Sequence, residues 1–311
     1  MILLLTNALF PVFAGLALGY IAGVRKTVDN VNLKSLITFL MSFALPCALF
    51  GTIAHTQYAA LFGQSRLVLV LAIVYLLTYG GVFLATRLDS SSDKSVVALT
   101  LAFPNATAVG LPLLAAAYGA PGSVACASAI AVGAVTISPI TLAILESLSG
   151  PTHASFMNGL RIALWRAVKR PVVWAPVLAI FVVLLRFSLP TYIDRTVTIF
   201  AGATAGVALF LTGLVVSAQR FRFTWAVVGA VVTKNILQPA LCLGVAMLFH
   251  LPVDATRYVV LICAIPCGFF GIVFGKGFGA TPEVASSSLI ASYLAGVVTL
   301  AGWMVLLARL G

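Results

Sequence analysis

A lysine lies in the middle of one long apolar run, TWAVVGAVVTKNILQPALCLGVAMLF. Asn235 follows Lys234 directly, and Gln238 lies one helical turn further along. A charged side chain at the centre of a membrane-crossing helix costs about 3 kcal/mol or more, so such a residue is a candidate for function. Two interpretations stay open: the Lys234 ammonium provides positive charge to a ligand site, or it caps the negative C-terminal ends of broken helices.

A second stretch, FPNATAVGLP at 103–112, combines helix breakers with polar side chains inside another apolar run. Pro104, Gly110 and Pro112 favour an interrupted helix, because proline removes a backbone donor and glycine tolerates unwound conformations. Asn105 and Thr107 add side-chain donors beside the break. Unpaired backbone amides at the start of the next half-helix, where the helix dipole is positive, predict a site for an anion.

The segment AIPCGFFGIVFGKGFG at 264–279 has a similar character. Pro266 and Gly271 are predicted to break the helix, and Gly268 and Gly271 allow a close approach of backbone. Cys267 and Gly268, which follow the proline, are predicted to line the same site. A simple kink, which is common in membrane helices, is the alternative for either segment taken alone.

The composition indicates which elements must hold these residues. Of 311 residues, 62% are hydrophobic and 8% are charged, which is too few charges for the surface of a soluble domain. Apolar runs of about 20 residues span a bilayer as helices, and the runs here are longer than the alternating segments of a barrel. The net charge of +11 is typical of basic cytoplasmic loops, so no nucleic-acid partner is expected.

We predict an all-α polytopic membrane protein with ten transmembrane helices. With the N-terminus outside, twelve Lys and Arg residues fall on the inner side and five on the outer side. Basic residues concentrate on the cytoplasmic side, so both termini are predicted to lie outside. The spans are predicted at roughly 3–24, 31–54, 67–87, 94–118, 123–147, 171–189, 194–217, 224–249, 255–278 and 284–309.

The two halves of the chain share a weak repeat. The segment YGAPGSVACASAI at 118–130 matches FGATPEVASSSLI at 278–290 at six of thirteen positions, with an offset of 160 residues. Five spans per half is an odd number, so the second half crosses in the opposite sense, as in the inverted repeats of secondary transporters. The predicted boundaries are 1–147 for the first repeat, 148–170 for a basic amphipathic cytoplasmic linker, and 171–311 for the second repeat.

The two interrupted segments fall at corresponding places in this repeat, as the fourth and ninth spans. Crossed, broken helices at matched positions favour a ligand site over two independent kinks, because transporters of this plan bind substrate there. No acidic residue is placed near the middle of a span, so a relay of buried carboxylates is not expected. Proton coupling would then use the substrate's carboxylate or Lys234, and sodium is the less favoured ion.

Cofactors and enzymatic chemistry are not predicted. The five cysteines lie in apolar segments, where small core residues are expected, and two thiols without other ligands make a poor metal site. A serine nucleophile needs a nearby base, and no histidine or acidic residue is placed to serve as one.

Several motifs resemble those of the auxin efflux carrier family, which includes plant auxin exporters and bacterial malonate-type permeases. They are FALPCALF in the second span, PNATAVGLPLL in the fourth, KNILQPAL in the eighth, and AIPCGFFG followed by ASSSLIASYLAG in the ninth and tenth. The resemblance covers nearly the whole chain. It implies two inverted five-helix repeats, a scaffold domain, and a transport domain with an elevator-like movement.

One departure from the plant members bears on which branch of the family, and which substrate, is expected. The plant exporters place an asparagine beside the proline at both crossings, whereas here Asn105 follows Pro104 but Cys267 follows Pro266. The central loop is also short, as in the bacterial branch. The resemblance therefore implies a bacterial inner-membrane permease rather than an exporter of auxin.

The function expected is secondary transport of a small organic anion, a mono- or dicarboxylate such as malonate. The alternatives are a membrane sensor that binds the anion without moving it, and a cation/proton antiporter of related fold. The bilayer and the substrate are the expected partners, and a homodimer is left open. The predicted substrate-binding residues are Asn105, Thr107, Lys234, Asn235, Gln238, Cys267 and Gly268, with helix breaks at Pro104, Gly110, Pro112, Pro266 and Gly271.

Overall fold

The computed structural model describes residues 2–55, 65–149, 161–162, 165, 169 and 171–309. Within these ranges the chain is helical and contains no β-strand. Six helical segments of the described chain are long and apolar enough to cross a membrane. The all-helical membrane fold is confirmed to that extent, whereas ten spans in two inverted repeats stays a prediction.

The helices begin where local chemistry favours a start. Three of them, at residues 191, 253 and 283, directly follow a proline and carry an acidic residue in the first turn, which suits the positive end of the helix dipole. The helices are α1 (Ile2–Val24), α2 (Lys34–Ala54), α3 (Ser65–Ala85), α4 (Ser91–Ala102), α5 (Leu111–Val135), α6 (Ile137–Ser149), α7 (Pro171–Leu184), α8 (Thr191–Ser217), α9 (Trp225–Leu248), α10 (Val253–Ala264), α11 (Phe270–Gly277) and α12 (Glu283–Ala308). α5 is not continuous, because Gly119, with φ of 64° and ψ of −146°, divides it into two helical parts.

Three π-helical turns interrupt the regular helices, and each ends two residues before a proline. Proline has no N–H to donate, and its ring crowds the preceding turn. A wider turn at that point relieves the crowding and leaves a backbone carbonyl available for another partner. The turns are Leu40–Ala44 before Pro46, Ala106–Gly110 before Pro112, and Thr233–Leu237 before Pro239.

The chain divides into two compact units, each built from both halves of the sequence. Unit 1 comprises Met1–Val68, Ala106–Ala131 and Lys169–Ala218, and unit 2 comprises Leu69–Asn105, Val132–Val168 and Gln219–Gly311. These units group residues by contact in space, whereas the predicted repeats divide the chain along its sequence. The two sequential repeats therefore stay a prediction. Most of the predicted linker 148–170 lies outside the described residues.

Unit 1 is organised around the contact between α1 and α8. A Cβ added at Gly19 would overlap the backbone of Phe210, and one added at Gly213 would overlap the carbonyl oxygen of Leu16. Small residues let membrane helices approach until their backbones touch, and the packing this allows replaces the hydrophobic effect inside lipid. Glycine is therefore required at both positions.

Unit 2 holds most of α3 together with α4, α6 and α9–α12. In its core, the rings of Phe103 and Phe270 stack with centroids 5.6 Å apart, and the ring of Tyr75 lies tilted against Phe103 with centroids 6.0 Å apart. Gly133 lies against the ring of Phe103, where a larger residue would collide. This packing fixes the ends of α4 and α11, where the candidate site lies.

Candidate functional site

Two helices of unit 2, α4 and α10, each end two residues before a proline. The residue that precedes each proline is extended, with ψ of 103° at Phe103 and 139° at Ile265. The ring of a proline excludes the preceding residue from the helical region, which explains why both helices stop there. Pro104 and Pro266 thus act as the helix breaks of these two segments.

The two interruptions lie directly against each other. Pro104 and Cys267 form an isolated antiparallel bridge, and the Asn105 N–H donates to the Pro266 carbonyl at 3.0 Å. The non-helical residues of one segment therefore pair with those of the other, which satisfies backbone groups that would be costly to leave unpaired inside an apolar environment. We refer to this meeting point as the crossing.

Gly268 completes the crossing from the other side. Its N–H lies 2.9 Å from the Phe103 carbonyl oxygen and 3.2 Å from the Thr100 carbonyl oxygen. The Thr100 carbonyl would bond the N–H of residue 104 in a continuous helix, and proline has none to offer. A Cβ at Gly268 would overlap the Phe103 oxygen, so only glycine permits this approach.

Three of the predicted helix breakers lie instead in helical segments. Gly271 is in the first turn of α11, where a Cβ would overlap Thr100 and Val96, so its role is close packing against α4. Gly110 is the last residue of a π-helical turn, and Pro112 is in the first turn of α5. Proline fits a first turn because its missing N–H has no essential partner there.

One turn of α9 caps both interrupted helices. Gln238 Nε2 donates to the Ala102 carbonyl at the end of α4 at 2.8 Å, and Lys234 Nζ donates to the Cys263 carbonyl near the end of α10 at 3.0 Å. Lys234 also donates to Gln238 Oε1, which links the two caps. A cation is favourable at the negative end of a helix, so the capping interpretation describes this geometry.

The electrostatics of the crossing are dominated by Lys234. Its side chain is 0% exposed, and it is the one buried charged side chain among the residues that the structure describes. Both oxygens that accept hydrogen bonds from it are neutral. Its charge is therefore hydrogen-bonded without being neutralised by a carboxylate.

Asn235 anchors the same turn of α9 to α12. Its Oδ1 accepts from Ser292 Oγ at 2.7 Å, and its Nδ2 donates to the Ser292 carbonyl at 3.0 Å and to Thr299 Oγ1 at 3.1 Å. Its own carbonyl, which Pro239 leaves without a helical partner, accepts from Trp303 Nε1 at 2.9 Å. Asn235, in the π-helical turn of α9, thus forms hydrogen bonds with three residues of α12.

α12 also contacts the crossing itself. Tyr293 OH accepts from Asn105 Nδ2 at 2.6 Å, and Ser292 Oγ accepts from the Cys267 N–H at 3.1 Å. The sequence reasoning missed the contribution of α12. Its signal was a row of residues at spacings of four, three and four along an apolar helix, in which the small or polar Ser292, Gly296 and Thr299 are followed by Trp303.

The expectation of unpaired amides at the break does not hold for the three residues that follow the prolines. The N–H groups of Asn105, Cys267 and Gly268 all donate to other groups of unit 2. The physical reason is that apolar surroundings penalise unpaired backbone, so the acceptors come from the other interruption for Asn105 and Gly268 and from Ser292 of α12 for Cys267. An anion site at the crossing would have to rely on Lys234 and on side chains.

The remaining predicted residues, Thr107, Gly110 and Pro112, belong to unit 1. Thr107 is buried, with 1% of its surface exposed, whereas Pro112 lines a cavity of about 900 Å³. The cavity is lined by the C-terminal part of α2, the first half of α5 and the N-terminal half of α8. The polar residues that line it are Thr52, His55, Ser123, Thr198 and Thr204.

The hydroxyl groups of the cavity differ in what they can offer a ligand. Thr198 Oγ1 donates to the Asp194 carbonyl at 2.9 Å, and Ser123 Oγ donates to the Gly119 carbonyl at 3.2 Å. Thr204 Oγ1 is buried and has no hydrogen-bond partner among the described residues. The Thr204 hydroxyl therefore has unused hydrogen-bonding capacity, although its oxygen is not accessible from the cavity in this arrangement.

His55 directly follows the C-terminal end of α2. Its Nε2 is 3.0 Å from Asp194 Oδ1, and its Nδ1 is 2.7 Å from the Gly51 carbonyl oxygen. The pair joins the end of α2 to the start of α8 beside the cavity.

Comparison with known proteins identifies the family. The profile described as "Membrane transport protein" matches residues 4–304 of the chain. The chain belongs to this family, that of the auxin efflux carriers. The resemblance drawn from the sequence motifs is thereby confirmed.

Relatives of this auxin efflux carrier family member include bacterial and plant proteins. The "Uncharacterized transporter YfdV" of Escherichia coli (strain K12) is 32% identical over 303 residues, which cover 95% of both chains. The "Putative malonate transporter" of Rhizobium meliloti (strain 1021) is 24% identical over 97% of this chain and 96% of its own length. "Auxin efflux carrier component 8" of Arabidopsis thaliana is 28% identical over 126 residues, 40% of this chain and 34% of its own.

The family assignment settles the class of protein. The chain is a multi-pass membrane transporter, and its family is one of transporters rather than enzymes. The expectation that it is not an enzyme is confirmed by this membership. The crossing in unit 2 and the cavity in unit 1 are the two places where its chemistry is to be sought.

Proposed function

We propose that this transporter carries a small organic anion across the bacterial inner membrane by alternating access with an elevator-like movement. The observation that carries the proposal is Lys234, a buried cation without a buried carboxylate beside two broken helices. Ionisable residues in such positions usually mark the path of a substrate or ion. Broken helices that cross are a recurring way to build a substrate site.

The sign of the buried charge favours an anion. A buried ion without a partner of opposite charge is strongly unfavourable, and a bound carboxylate would provide that partner. Lys234 is already held by two neutral acceptors, so it keeps its position when no substrate is bound. A cation/proton antiporter would need buried acids, and none is buried among the described residues.

The cavity in unit 1 favours a substrate with one charged group. Among the residues that line it, His55 is ionisable, while no Lys or Arg is present. Most of the lining is alanine, valine, leucine, proline and glycine. A monocarboxylate with an apolar body suits such a surface better than a compact dicarboxylate.

Malonate nevertheless belongs among the first candidates, because a relative of nearly equal length is named a putative malonate transporter. At the crossing in unit 2, the proposed substrate-contacting residues are Lys234 and Asn105, supported by Asn235, Gln238, Cys267 and Gly268. Thr107, which belongs to unit 1, is proposed as a substrate donor from the sequence. Lys234 and Asn105 are both 0% exposed. Substrate would therefore reach them in a further conformation, as alternating access requires.

The membrane arrangement is proposed from the sequence. Ten spans in two inverted repeats follow from the 160-residue offset, and termini on the outer side follow from the basic residues of the inner loops. The bacterial relatives support the inner membrane as the location. Coupling to protons is proposed ahead of sodium, because the substrate's own carboxylate or Lys234 can carry the proton.

Uptake by purified protein in proteoliposomes tests the proposal. The panel is radiolabelled malonate, succinate, benzoate and indole-3-acetate, each measured with no gradient, a proton gradient and a sodium gradient. We expect accumulation of at least one carboxylate above protein-free liposomes, driven by the proton gradient. Accumulation of none of them, with folded protein present, would remove the organic-anion assignment, and ligand binding without flux would favour a sensor.

A further inference from the structure

α12 touches both interruptions of the crossing through two adjacent residues. Ser292 binds the segment that follows Pro266, and Tyr293 binds the segment that follows Pro104. In each case the contacted residue is the one immediately after the helix-breaking proline. The two hydrogen bonds therefore fix equivalent points of the two broken segments.

Ser292 is a relay between the second interruption and α9. Its Oγ accepts from the Cys267 N–H at 3.1 Å and donates to Asn235 Oδ1 at 2.7 Å. The residue is fully buried, so water does not replace either partner. Loss of the hydroxyl would leave the backbone N–H of Cys267 and the side-chain Oδ1 of Asn235 short of one hydrogen bond each.

Tyr293 serves the first interruption. Its phenol oxygen accepts from Asn105 Nδ2 at 2.6 Å, and 7% of the residue is exposed. This contact sets the orientation of the Asn105 amide, which the proposed function places against the substrate. Tyr293 itself would not touch the substrate in this arrangement.

The backbone of α12 is held close to the crossing at one further point. A Cβ added to Gly296 would lie 2.7 Å from Pro266 Cγ, which is closer than side-chain carbons approach. Gly296 and Ser292 are one helical turn apart and so share a face of α12. The polar contacts of Ser292 and Tyr293 are thus supported by close packing against the same break.

We propose that Ser292 and Tyr293 are positioning residues, each holding one of the two interruptions in the geometry that binds substrate. Ser292 acts through Cys267 and Asn235, and Tyr293 acts through Asn105. The effect on transport rests on the proposed function, but the local effect on each interruption does not. The two parts can therefore be tested separately.

Hydrogen–deuterium exchange of the full-length protein in nanodiscs tests the local effect. We expect Tyr293→Phe to speed exchange about tenfold in peptides that contain residues 103–107, and Ser292→Ala to do so in peptides that contain residues 265–269. The control is Ser288→Ala on the same helix, whose hydroxyl is buried without a partner among the described residues. It should change neither segment.

Transport provides the second readout. For the carboxylate of the panel that the wild-type protein takes up best, Tyr293→Phe should raise KM about tenfold while Vmax stays within twofold. Asn105→Ala should raise KM as well, and the double variant should be no worse than Asn105→Ala alone, because both changes remove one interaction. Ser288→Ala should keep the wild-type KM.

The outcomes separate the two claims. The positioning role is supported if each variant speeds hydrogen exchange only in its own segment. It is overturned if a variant speeds exchange equally in both segments, or in neither. Additive effects of Tyr293→Phe and Asn105→Ala on KM would also overturn it. If the wild-type protein takes up no carboxylate while the selective exchange is observed, the proposed substrate class fails and the positioning of the interruptions stands.

Discussion

The crossing in unit 2 and the cavity in unit 1 differ in whether their polar groups are hydrogen-bonded within the protein. At the crossing, the side-chain amide of Asn105, the N–H of Gly268 and the ammonium of Lys234 all donate hydrogen bonds to other groups of the protein. In the cavity, Thr204 keeps a buried hydroxyl that has no partner among the described residues. Changes at the crossing should therefore reduce stability and transport together, whereas changes in the cavity should affect transport alone.

The largest effect is expected for Gly268→Ala at the crossing. The added methyl group would collide with the Phe103 carbonyl oxygen, a backbone atom that cannot move aside as a side chain could. We expect the free energy of unfolding to fall by about 3 kcal/mol and uptake to be lost. Unfolding by SDS titration in mixed micelles measures the first quantity, and proteoliposome uptake measures the second.

Gly277→Ala is the matched control for that variant. It lies at the end of α11, where an added Cβ meets no atom within 4 Å. Its unfolding curve should coincide with that of the wild-type protein. Equal destabilisation by the two substitutions would show that the close approach at Gly268 is not what holds the crossing.

Gln238→Leu is expected to have the next largest effect. The substitution leaves the Ala102 carbonyl and the Lys234 ammonium each short of one buried partner. A loss of about 2 kcal/mol in the free energy of unfolding is expected, with reduced uptake. Gln219→Leu, outside the helices, should leave both unchanged, and a stable Gln238→Leu protein would contradict the capping role.

Thr204→Val tests the opposite behaviour of the cavity. The substitution keeps the shape of the side chain and removes a hydroxyl that has no partner among the described residues, so stability should change by no more than about 0.5 kcal/mol. KM for the transported carboxylate should rise about fivefold if that hydroxyl binds substrate. Thr212→Val, on the same helix but away from the cavity lining, is the control and should keep the wild-type KM.

The smallest effect is expected for the pair formed by His55 and Asp194. Its side chains are 58% and 35% exposed, so solvent screens the interaction. A double-mutant cycle with His55→Ala and Asp194→Ala should give a coupling below about 1 kcal/mol that decreases further in salt. A coupling above about 2 kcal/mol would mean that this pair, rather than helix packing, joins α2 to α8.

The comparison also shows which features the sequence could reveal. Pro104 and Pro266 impose their effect through their own rings, so the positions of the two breaks can be read from the sequence. Lys234 stood out because its charge lies in an apolar run. Its role as a cap could be stated only as one of two interpretations, since the Cys263 carbonyl that accepts its hydrogen bond is distant in sequence.

Other features depend on partners that no local pattern identifies. Glycine is a residue type that often breaks helices, yet Gly271 lies within α11 and allows that helix to pack closely against α4. The contacts of Ser292 and Tyr293 arise from long-range pairing, and the cavity exists only because α2, α5 and α8 come together. Sequence reasoning found the breaks and the buried charge, and it missed what holds them.

The most direct test of a buried cation that serves an organic anion is counterflow uptake by Lys234→Met and Lys276→Met proteoliposomes. Lys276 is exposed near the end of α11, so its substitution should leave uptake at the wild-type level. Lys234→Met, reconstituted at equal amounts of folded protein, should lower uptake of the carboxylate at least about a hundredfold. Full uptake by folded Lys234→Met would contradict the central role given to this charge.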